Sequence, residues 1–157
     1  MSRRFDQIPS SFSTNQAVKL TGMSRTMLDY LVRTNLLVPS SSRGKRTKGK
    51  KREYSFGDIV ILRALKSLLD NGISVSRVSK ALHKLGKKHK ELKPKDIPGQ
   101  IKYLVTDGEE VFFKNKRQVL ENLSKNGQMA FSFVLDLTPA KDKIIEDIGR
   151  LNLKKTG

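Results

Sequence analysis

Residues 24–54 read SRTMLDYLVRTNLLVPSSSRGKRTKGKKREY. Met27, Leu28, Leu31 and Val32 recur at helical spacing, and Ser24 stands where an N-cap belongs. Asn35 fits a left-handed stop, since a short polar side chain tolerates positive φ. Leu36, Leu37 and Val38 then read as an extended segment pinned to the core and ended by Pro39. With the four apolar residues turned inward, the opposite helix face carries Arg25, Thr26, Asp29, Tyr30 and Arg33. Ser40 to Gly49 contains no apolar residue and cannot be core. Arg43, Lys45, Arg46, Lys48, Lys50, Lys51 and Arg52 place seven cations in ten positions. Like charges this dense repel and keep a loop extended until an anion arrives, and Gly44 and Gly49 let its backbone turn closely. A helix thin enough for the major groove, followed by a cationic loop within reach of the neighbouring backbone, is the pattern of a winged helix-turn-helix.

The flanks supply support. Upstream, residues 1–12 read as a loose arm with Phe12 tucked against the first helix. Ser13 and Gln16 form a capping box, Ala17, Val18 and Leu20 an apolar face, and Gly22 the stop. Downstream, Ser55 and Asp58 form a second capping box before the stripe Ile59, Leu62, Leu65 and Leu69, closed by Asn71-Gly72. Ser74 caps a fourth helix through Val75, Val78, Leu82 and Leu85, closed by Gly86. The charged, proline-bearing stretch that follows reads as a linker, so the expected division is a DNA-binding domain at 12–88, a linker at 89–99 and a small α+β domain at 100–153. In that last part Ile101–Thr106 reads as a strand, Asp107-Gly108 as a hairpin turn and Val111–Phe113 as the return strand. Lys116–Lys125 reads as a helix, Met129–Leu137 as a buried strand, and Thr138 as the cap of a final helix with Pro139 at its start. The expected fold class is mainly α: a four-helix winged domain plus about three strands and two helices.

Charge divides the same way. Of the net +17, residues 1–95 hold 22 Lys and Arg against 6 Asp and Glu, while residues 96–157 hold 10 against 9. A polyanion partner for the first part alone is implied, nucleic acid before an anionic membrane surface. No apolar run approaches the ~20 residues of a transmembrane helix, and the opening MSRRFDQIPSSFS has no apolar core of signal-peptide length. The chain has no cysteine, which removes disulfides and thiolate metal sites. A cytoplasmic, nucleoid-associated protein is expected. Catalysis finds no nucleophile–base pair, phosphate-binding glycine loop or paired carboxylates. His83 and His89 lie in or beside a basic helix with no carboxylate cluster near in sequence, so neither metal nor cofactor is expected.

Arginine can fork onto guanine O6 and N7 or onto a phosphate, and a tyrosine hydroxyl can donate to phosphate. The candidate DNA-binding residues are Ser24, Arg25, Thr26, Tyr30 and Arg33 on the helix, and Arg43, Lys45, Arg46, Lys48, Lys50, Lys51 and Arg52 in the wing. The alternative is an architectural protein whose basic loop coats nucleic acid without sequence preference.

The motifs STNQAVKLTG at 13–22, Met23-Ser24-Arg25, Leu36-Leu37-Val38-Pro39 and Arg52-Glu53-Tyr54-Ser55-Phe56-Gly57-Asp58 together resemble the N-terminal domain of the MerR family, over roughly residues 12–86. Asp29–Leu37 is similar to the subgroup pattern D-Y-x-x-R-T-x-L-L, and VTDGEEVFF and NGQMAFSFVLDL resemble the small C-terminal domain of that subgroup. The resemblance implies a homodimeric transcription regulator on double-stranded DNA, with RNA polymerase at the promoter as a further partner. It implies that Arg25, Tyr30 and Arg33 face DNA and that Arg52 meets the backbone. Three features depart from the family. Asp29 stands where many members have arginine, and is expected to orient Arg25 or Arg33 or to accept from a cytosine amine. The wing is longer and more basic, and the family's coiled-coil helix is missing. The expected dimer contact therefore falls on the C-terminal part, through Phe112, Phe113, Phe131 and Phe133 and the helix face Ile144, Ile145, Ile148 and Leu151.

Overall fold

The computed structural model describes residues 8–39, 51–106, 110–126 and 133–151. In chain order these are β1 (Ser11–Phe12), α1 (Thr14–Thr21), α2 (Arg25–Arg33), β2 (Tyr54–Ser55), α3 (Phe56–Asp70), α4 (Val75–Leu85), β3 (Tyr103–Thr106), β4 (Val111–Lys114), α5 (Lys116–Asn126), β5 (Phe133–Asp136) and α6 (Thr138–Arg150). A short 3-10 turn at Pro94–Asp96 lies between α4 and β3.

Local chemistry sets the helix ends. Ser13 Oγ accepts from Gln16 N while Gln16 Oε1 accepts from Ser13 N, closing the capping box. Ser24 and Ser74 cap α2 and α4 through the N–H of Met27 and Arg77. Asn35 takes φ 61° after α2, the left-handed geometry that stops a helix. Leu36 and Leu37 then bend back, both N–H groups donating to Leu31 O at 2.9 and 3.1 Å. The expected extended segment is thus a tight turn, and Leu37 is its buried anchor. At α6, Thr138 is the first helical residue and not its cap. Asp136 Oδ1 accepts from Thr138 N at 2.9 Å, so the carboxylate two residues earlier satisfies the free N–H.

The expected loose arm is corrected at its described end. Ile8 is buried, Phe12 is buried, and Ser11 and Phe12 pair antiparallel with Ser55 and Tyr54. That two-residue ladder fastens the residues just before α1 to those just before α3. The C-terminal sheet has the order β4-β3-β5, antiparallel throughout, with Thr106 opposite Val111 and Phe133. The hairpin turn expected at Asp107-Gly108 lies outside the described residues.

One core runs through both parts. Instead of a single stripe, α3 buries every residue from Phe56 to Leu62, together with Ala64 and Leu65. A helix apolar all round needs cover on all sides, and α6 supplies the second side, packing on α3 and α1. Ile144, Ile145 and Ile148 join the same buried cluster as Leu20, Ile59 and Leu65. The α6 face expected to meet a second copy is therefore occupied by the chain's own α3 and α1. Phe112 and Leu120 are left exposed. At the seam, Arg63 Nη1 donates to Leu20 O at 2.6 Å and lies 3.4 Å from Asp147.

The segment expected as a linker is packed as well. His89, Leu92 and Ile97 are buried, and α4 lies against β4.

Candidate nucleic-acid interface

Amphipathicity turns Leu28, Leu31 and Val32 of α2 inward and leaves Arg25, Thr26 and Arg33 exposed, with Asp29 and Tyr30 half-buried between them. Ser24, exposed, is spent on the cap. Arg25, at the first helical position, donates from Nη1 to Asn15 Oδ1 at 2.6 Å, which fixes the start of α2 against α1. Arg43, Lys45, Arg46, Lys48 and Lys50 lie outside the described residues. Lys51 is exposed, and Arg52 is half-buried.

Asp29 departs from expectation. It pairs with neither Arg25 nor Arg33 but accepts from Arg52 Nη1 at 2.6 Å. Burial disfavours the Arg52 charge, but the hydrogen bond to the Asp29 carboxylate helps to outweigh that and raise its pKa. The pair brings Arg52, the last cation of the basic run, against the exposed side of α2. The arginine expected on the DNA backbone thus has a partner in its own chain, one on the helix that carries the other candidates.

A second cluster lies behind this face, and sequence reading gave its centre only a capping role. Asp58, fully buried, closes the capping box by accepting from Ser55 N at Oδ2 (2.9 Å). Its Oδ1 accepts from His89 Nε2 at 2.6 Å, across 31 residues of chain. Lys90 Nζ donates to both oxygens, at 2.7 and 3.0 Å, and also to the carbonyl of Val38. Burial alone would raise the Asp58 pKa, but the His89 hydrogen bond and the Lys90 charge more than offset it and hold the carboxyl below its ordinary value. Gly57 makes room for this approach: a Cβ there would lie 1.8 Å from His89 O. The available signals were a glycine in the first turn of a buried helix and a His-Lys pair beside the apolar Leu92.

Residues 12–85 match the MerR HTH family regulatory proteins. They form a MerR-family helix-turn-helix domain. An uncharacterized HTH-type transcriptional regulator of Mycobacterium bovis and another of Mycobacterium tuberculosis are each 32% identical to this chain over 119 residues. The match takes in 76% of this chain and 50% of each relative, so the chain spans about half the length of the curated relatives it matches. It also runs well past the MerR domain, into the region of the C-terminal sheet. Among the described residues no group of His, Cys, Asp and Glu could hold a metal ion, and no helix is long and apolar enough to cross a membrane.

Proposed function

We propose that the MerR domain binds double-stranded DNA with sequence preference and regulates transcription, with α2 in the major groove and the basic loop on the flanking backbone. The observation that carries this reading is the Asp29–Arg52 pair, which joins the loop's closing end to the helix whose exposed side bears Arg25, Thr26 and Arg33. Phosphate contacts set affinity and register, and base-edge contacts set preference. Arg25 and Thr26, near the helix start, take the base-reading role, while Tyr30, Arg33 and the loop cations hold phosphate. A single α2 covers half a site, so a homodimer spanning grooves about 34 Å apart is part of the proposal, with its contact outside the α6 face buried within the chain. RNA polymerase at a promoter is the further partner this role calls for.

Competition tests it. Duplexes selected from a random pool should be bound roughly a thousandfold or more tighter than bulk DNA, with a steep fall in affinity as salt rises. Near-equal affinity for selected and bulk duplex would favour a coating protein.

A further inference from the structure

Lys88, His89 and Lys90 are consecutive and reach three different parts of the molecule. Lys88 Nζ donates to Val111 O on β4 at 2.9 Å and sits 5.8 Å from the Phe112 ring centroid. His89 bonds Asp58 in the first turn of α3. Lys90 bonds Asp58 and the carbonyl of Val38. Val38 leads into the basic loop, and β2 and α3 begin where that loop ends. Lys90 therefore bridges the two stems of the loop, and the Arg52–Asp29 pair ties the second stem to α2.

The Lys90 charge helps hold the buried carboxylate ionised, but the hydrogen bonds of that carboxylate do not by themselves require Lys90. His89 already satisfies Oδ1 and Ser55 N satisfies Oδ2. The additional donation to Val38 O fixes a geometry: it sets the distance between the stems of a segment that carries Arg43, Lys45, Arg46, Lys48 and Lys50. Cations so close in sequence repel one another, and flanking residues already fixed in place need no ordering at the moment of binding.

We propose, resting on the DNA-binding reading above, that Lys90 is a positioning residue for DNA binding, which holds the two stems of the basic loop at a fixed separation beside α2, and that Lys88 extends this tie to the C-terminal sheet. Lys90 touches no DNA in this scheme and acts through the loop. The C-terminal part is then coupled to DNA affinity by three adjacent side chains, and by linkage DNA should in turn stabilise the Lys88 contact.

A double-mutant cycle on the full chain separates positioning from plain structural support. The four proteins are wild type, Lys90→Met, a loop variant with Lys45, Arg46, Lys48 and Lys50 all changed to Gln, and their combination. Affinity for one selected duplex is read by fluorescence anisotropy, and folding is checked by circular dichroism. Lys90→Met should weaken binding by about tenfold in the wild-type loop but by less than about twofold once the loop cations are gone. Lys88→Gln should follow the same pattern with a smaller loss. Equal losses in both loop backgrounds, or no loss at all, would overturn the proposal. Should Lys90→Met fail to fold, Lys90→Ala, which likewise removes the donor to Val38 O, takes its place under the same criteria. If wild type binds no duplex, the DNA-binding reading itself fails and the proposal falls with it. If wild type binds and Lys90→Met matches it, the tie alone fails.

Discussion

The two ends of α3 are held in opposite ways. Its middle and later turns meet α6 through isoleucines and leucines that join one continuous core. Its first turn meets His89 and Lys90 through a buried carboxylate, an imidazole and an ammonium group. The apolar contact has strength without direction, since burial stabilises in proportion to area and tolerates some sliding. The polar contact is directional, because an unmatched donor or acceptor in that place is costly. The first holds the C-terminal part on, and the second determines where the chain next to the basic loop sits.

Four substitutions sharpen that contrast. Asp58→Ala would leave His89 and Lys90 facing a vacated buried site, and should cost about 4 kcal/mol in urea unfolding, in the range for breaking a buried ion pair. Acid should act through the same group. Its carboxyl lies below its ordinary value in the folded protein, so its stabilisation is complete above the unfolded value of about 3.9 and is lost as pH falls through the folded one. Asp58→Asn should remove that part of the acid limb; an unchanged acid limb would mean the carboxylate is not held in this way.

Next in size, Ile144→Ala should cost about 3 kcal/mol, the lost methylenes plus the residual cavity. Unfolding should remain a single transition by every probe, because its face belongs to the common core; two separate transitions would show that α6 does not bind the parts together. The smallest effect on stability belongs to Asp29→Ala. Asp29 and Arg52 side chains are 44% and 25% exposed, so water screens the pair, and its loss should cost no more than about 1 kcal/mol. The same variant should weaken binding to a selected duplex while the melting curve hardly moves.

What sequence revealed and what it hid divide by range. Both capping boxes, the Asn35 stop and the β3–β4 pairing depend on residues a few places apart, where spacing alone carries the geometry. The MerR motifs, likewise, are ordered along a single stretch. Asp58 shows the limit. The oxygen that serves Ser55 three residues away was legible, and the one that serves His89 was not, because nothing in a linear pattern places a charged, proline-bearing segment against a helix start. The segment read as a linker for its charge, yet its Leu92 and Ile97 are buried. The partner of Asp29 was missed for the same reason: Arg52 lies 23 positions on and was counted among the cations free for DNA. Period could not reveal the all-round burial of α3, since its second side is covered by α6, far along the chain.

Gly57 carries a consequence for anyone engineering this chain. Replacing a helical glycine with alanine is a routine way to gain stability, about 1 kcal/mol where the backbone allows it, since alanine restricts the unfolded chain and favours helix. Here the gain would be reversed. The added methyl carbon would stand 1.8 Å from the His89 carbonyl oxygen, a backbone atom that cannot swing aside as a side-chain tip can. A consensus or propensity-guided redesign would improve α3 as an isolated helix and drive residues 88–90 off it. Position 57 therefore belongs on the list of glycines to leave alone, and Gly72, where a Cβ would meet nothing within 4 Å but the φ of +92° penalises any side chain, belongs there for a different reason.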